Sequence, residues 1–263
     1  MQNPDSINLH WQFRSKNTHS RLSEVLLSAY RLLSRHPDVT LLELQKRLLQ
    51  RASPYQVSPE GSFAVQLELG RFMYLQCNAL VDAYDLLVSL SKTPESKIGQ
   101  LLETERLALL AQIRIDQLQE SLGRVHGRNG YNLLRSYSPQ LWSAGGRTVR
   151  QLYDEAQRFI NAAINLQPHR IETRIVSMAL LWSKGQKEAA REVADKIPYA
   201  IKDKDAIAIK LALAVEGFGV DAVKDNSEQL FKLLKHSSDL LRIDPQCHAS
   251  LKGNSSLMIM ISY

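Results

Sequence analysis

The stretch from Ala162 to Pro198, AAINLQPHRIETRIVSMALLWSKGQKEAAREVADKIP, leaves a chain few ways to fold. Its apolar residues recur at helical spacing, and Pro168, Gly185 and Pro198 cut the run into single-helix pieces. The spacing predicts a helix over 171–184 that is apolar nearly all round, at Ile171, Ile175, Val176, Met178, Ala179, Leu180, Leu181 and Trp182. Such a helix has to be covered on several sides. The next, over 186–197, carries only the stripe Ala189, Ala190, Val193, Ala194 and Ile197, which suits an outer helix. An inner apolar helix beside an outer striped one is what stacked helix pairs require.

The rest of the chain follows the same pattern. Leu22, Val25, Leu26, Ala29, Leu32 and Leu33 predict a helix that begins near Ser20 and stops at RHPD. Thr40 with Glu43 reads as a capping box for the helix carrying Leu41, Leu44, Leu48 and Leu49. Ser58 reads as an N-cap with Pro59 as the first helical residue. Helices are expected over 60–76, 79–92, 95–122, 147–166, 204–216 and 226–243, and no segment reads as a strand. The expected fold class is therefore all-α. Residues 1–19 are expected to be a flexible N-terminal arm, 20–122 N-terminal helical repeats, 123–146 a basic aromatic loop, 147–253 C-terminal helical repeats and 254–263 a tail.

Spacing within the quoted run carries a resemblance. Pro168 ends one helix, Gly185 separates two others seventeen residues on, and Ala190 follows five later. Ala156 and Ala163 stand twelve and five residues before Pro168, and Leu240–Pro245 repeats the helix ending of Ala163–Pro168. Leu69-Gly70 with Ala83 is a further partial match. This pattern resembles the tetratricopeptide repeat, a helix pair of about 34 residues. It departs from that pattern at Met178, Leu181 and the missing Trp, and the two Pro-ended helices lie 77 residues apart, so insertions are implied. An irregular helical bundle is the plainer alternative. The resemblance implies a right-handed α-α superhelix, a solenoid of antiparallel helix pairs in which the first helix of each pair lines a concave groove. It nominates Leu67, Arg71 and Tyr74 in one repeat and Glu172, Ile175 and Trp182 in another as protein-binding positions.

Chemistry is sparse by comparison. The seven His show no HExxH motif and no i,i+4 pair, so no metal site is expected. The glycine-rich run Gly123–Gly130 lacks the Lys-Ser/Thr of a phosphate loop, and no GxSxG nucleophile motif occurs. Neither catalysis nor a cofactor is expected. No run approaches the ~18 apolar residues of a membrane span, and two widely spaced cysteines suit a reducing compartment. The expected location is intracellular, cytoplasmic or nuclear.

Net charge is +6, most of it in the first 150 residues. Between Ser121 and Arg150 stand Arg124, Arg128, Arg135, Arg147 and Arg150, with no acid and with Tyr131, Tyr137 and Trp142 interleaved. Arginines beside aromatics grip phosphates and stack on bases. They equally pin a long loop against acids on neighbouring helices. Two functions follow: a non-catalytic scaffold binding other protein subunits or peptide segments, or a helical-repeat protein contacting RNA or DNA through 121–150. The last helix is expected to leave Leu234 and Leu241 partly open, with Phe231 placed by its roll.

Overall fold

The computed structural model describes residues 21–34, 38–56, 58–90, 96–121 and 146–198, with a few positions between 207 and 242. Among these residues the chain is helical and contains no strand. The helices are α1 (21–33), α2 (Leu42–Ala52), α3 (Pro59–Leu75), α4 (Leu80–Ser89), α5 (Lys97–Ser121), α6 (Gly146–Leu166), α7 (Ile171–Ser183) and α8 (Lys187–Asp195). None is long and apolar enough to cross a membrane. The chain divides into two compact units, Met1–Ile113 and Arg114–Tyr263, with the division falling inside α5.

The helix starts of the first unit are set by short polar caps. Ser58 Oγ accepts from Gly61 N at 2.9 Å and Pro59 takes the first helical position, as the sequence predicts. Ser96 Oγ accepts from Gly99 N at 2.9 Å in the same way. The expected capping box of Thr40 and Glu43 is not formed. Asp38 does the capping instead, accepting from Thr40 N at 2.9 Å and from Thr40 Oγ1 at 2.8 Å. These N–H and O–H donors hold the Asp38 carboxyl below the usual carboxylate range. Residues Val39–Leu41 consequently wind as a 3-10 turn ahead of α2, and Glu43 pairs with Arg47 at 3.0 Å.

The first unit has an internal register that the sequence reading missed. The two caps stand at 58 and 96, their glycines at 61 and 99, and the second helices start at Leu42 and Leu80, a difference of 38 in each case. Burial follows the same step. Gln45, Leu49 and Ala52 are buried on α2, and Ala83, Leu87 and Leu90 are buried 38 positions on. Two helix pairs, α1–α2 and α3–α4, are thus followed by α5 as the first helix of a third step. A Ser-x-x-Gly motif at 58–61 and 96–99 carries this step in the sequence, at a period longer than the 34 residues of a tetratricopeptide repeat.

Within α3–α4 the close approach rests on Gly70. It is buried, and a Cβ there would lie 2.6 Å from Leu87 Cδ2 and 2.8 Å from Leu87 Cγ. Asn78 makes the turn between these helices with φ 53, a left-handed conformation that asparagine tolerates.

The second unit is organised around α7, which packs on α6 and on α8. Ile175, Val176, Met178, Ala179, Leu180 and Trp182 are all buried, whereas α8 buries only Ala190 and Ala194. This is the inner and outer arrangement expected from their patterns. Gly185 ends α7 with φ 81, its N–H reaching Trp182 O at 2.8 Å while Gln186 N reaches Leu181 O at 2.9 Å. That pair of bonds is a Schellman cap, and the left-handed residue it needs is cheapest as glycine. Ala156 and Ala163 of α6 are fully buried, as small residues at a helix contact should be. Arg114 pairs with Glu155 at 2.6 Å and Gln119 donates to Ser183 Oγ at 2.8 Å, tying the last turns of α5 to α6 and α7. The helices expected over 204–216 and 226–243 fall largely outside the described residues. Phe231 and Leu234 are described and exposed, while Leu241 lies outside them.

Candidate protein-binding face

In the first unit the first helices of successive steps meet through polar side chains. Tyr30 of α1 donates its hydroxyl to Glu68 Oε1 of α3 at 3.0 Å, and its ring meets Phe72 edge-on at 6.1 Å. Glu68 Oε2 accepts from Arg71 at 2.9 Å, one helical turn along. Arg71 then reaches Glu105 of α5 at 3.1 Å. Four residues on three helices form one connected network. Burial, followed by the neighbouring Glu68 carboxylate, pushes the Tyr30 hydroxyl above the usual tyrosine range, with the Arg71 charge opposing weakly.

This network lies on the least buried face of α3. Glu60, Ala64, Glu68 and Arg71 are half-exposed and Leu75 is exposed, a stripe with the spacing of one helix face. Glu60 also accepts from Ser96 Oγ at 3.5 Å. On α5, Ile98 and Leu101 precede Glu105 at i−7 and i−4 and are 63% and 43% exposed. The strip formed by α3 and the start of α5 therefore sets three carboxylates against two cations, Arg71 and the exposed Lys97, with apolar side chains at its edge. Arg106 is engaged elsewhere, with Glu103 at 2.5 Å and with the Leu87 carbonyl at 2.9 Å.

The six positions nominated by resemblance divide by burial. Arg71 is half-open and central to the network, and Glu172 is exposed at the start of α7, where it pairs with Arg170 at 3.2 Å. Leu67, Tyr74, Ile175 and Trp182 are buried and serve helix packing. The trio on α3 belongs to one unit and the trio on α7 to the other. Sequence reasoning did not find Tyr30, Glu68 or Glu105. Each stands on a different turn of a different helix, and only the 38-residue register would have aligned those helices.

The basic segment is placed only at its end. Arg124, Arg128 and Arg135 lie outside the described residues, as does the Arg147 side chain, and Arg150 is exposed on α6. Two cations, one just past the end of α7 and one on α8, are seated on rings: Lys184 Nζ lies 4.1 Å from the Tyr153 centroid and Lys187 Nζ 5.8 Å from that of Trp182. Among the described residues no group of three or more His, Cys, Asp or Glu could hold a metal ion. No family model, curated protein or solved structure matches the chain.

Proposed function

We propose that this chain is a non-catalytic protein-interaction scaffold, a subunit of a larger assembly in the cytoplasm or nucleus, built as a superhelix of the tetratricopeptide type. One observation carries the reading: the network Tyr30–Glu68–Arg71–Glu105, which joins the first helices of three successive steps on a half-open face. Helical-repeat stacks use such extended faces to hold partner segments. The face is preorganised, because each charged side chain is already fixed by a neighbour and loses little freedom on binding.

Its chemistry selects the partner. Three carboxylates, Glu60, Glu68 and Glu105, outnumber the two cations Arg71 and Lys97, and Ile98 and Leu101 supply apolar contact beside them. An extended segment carrying Lys or Arg together with an apolar side chain complements that strip. The test is whether neutralising Glu68 and Glu105 by Gln, which keeps a hydrogen-bond acceptor at each place, releases the proteins that the full chain retains.

A further inference from the structure

The first helix leaves an apolar face uncovered. Leu22, Val25, Ala29 and Leu32 stand at i, i+3, i+7 and i+10 and line one face of α1. Val25 is 64% exposed, Leu32 61% and Leu22 40%. These side chains form one open apolar face of α1. Among the described residues nothing covers it.

We propose that a second copy of this chain covers it, α1 packing antiparallel on α1 about a two-fold axis. The observations favour self-pairing because the face is complementary to itself. An axis through residue 27 sets Leu22 against the partner's Leu32 and Val25 against the partner's Ala29, so apolar side chains meet along the whole stripe. Within one residue of the same axis, Glu24 lies beside the partner's Arg31, and the partner's Glu24 beside Arg31. Glu24 and Arg31 are both exposed on one flank of the stripe, and neither makes an ion pair among the described residues. The contact is small, since thirteen helical residues span only about 20 Å. Association is therefore weak and concentration-dependent, below the area of a permanent dimer.

Sedimentation velocity of the full chain from about 1 to 200 µM should show the mass doubling within that range, a window set by the small area. Val25→Glu with Leu32→Glu should hold the chain monomeric with an unchanged circular dichroism spectrum and melt. Glu24→Arg alone, and Arg31→Glu alone, should each weaken self-association by roughly tenfold, since each sets like charges together twice. Mixing these two single variants should restore association, as mixed pairs, because the two basic side chains of the first variant then face the two acidic side chains of the second. A wild type that stays monomeric throughout overturns the proposal. So does a dimer indifferent to the Val25 and Leu32 changes, or a mixture that associates no better than either variant alone.

Discussion

Tyr30 shows how one side chain can tie the stability of the first unit to pH. Its hydroxyl is half-buried and donates to Glu68, so losing its proton in the folded chain would set an anion beside a carboxylate. The folded state therefore keeps the proton more tightly than the unfolded state does. Stability from this source is complete below the ordinary tyrosine value of about 10 and declines as pH rises beyond it. Replacing Tyr30 by Phe removes the titrating group. The expected outcome is an unfolding free energy that falls less steeply above pH 10 than that of the wild type, read from urea melts at a series of pH values. Equal slopes would mean that Tyr30 is not the group responsible. Asp38 teaches a related lesson: the helix start at 40–43 was legible, but which side chain caps it depended on the chain turning sharply one residue earlier than Thr40.

Pairs of helices were the most legible feature, because period and punctuation act locally. The inner character of α7, the stripe of α8 and the stop at Gly185 all follow from apolar spacing and from the glycine that a Schellman cap prefers. Ala190 sits fully buried on α8, where the smallness of its side chain lets the helix lie close to its neighbour. Ala190→Leu inserts three carbons into that contact and should cost on the order of 1–3 kcal/mol in chemical denaturation. No loss would show that the contact is loose enough to repack. What the sequence did not make legible was the candidate face. A polar network joining residues 38 and 34 positions apart leaves no periodic trace, since Tyr, Glu and Arg at single sites look like any solvated helix surface. Four of the six nominated groove positions are buried for the converse reason: an apolar residue on a doubly covered helix has no open side to offer.

Across the chain the two candidate functions predict different responses to salt. Contacts between arginines and phosphates release counterions, so nucleic-acid binding through 121–150 would weaken linearly on a log–log plot of affinity against salt. Substituting Arg124, Arg128 and Arg135 by Ala would then flatten the slope by roughly 0.7 per lost contact with a single strand. The scaffold account expects no slope to flatten, and a fluorescence titration of labelled single-stranded RNA at low salt checks this. The acidic strip gives the scaffold account its own direct measurement. Tagged full chain, its Glu68→Gln/Glu105→Gln variant and a Glu188→Gln/Glu192→Gln control of the same net charge would be used to capture proteins from lysate, with quantitative mass spectrometry of what each retains. Glu188 and Glu192 are exposed on α8, which belongs to the second unit. The account predicts that proteins retained by wild type and control drop by about tenfold with the strip variant, at an unchanged melt, the loss that removal of complementary charge brings. Identical retention by all three chains would contradict it.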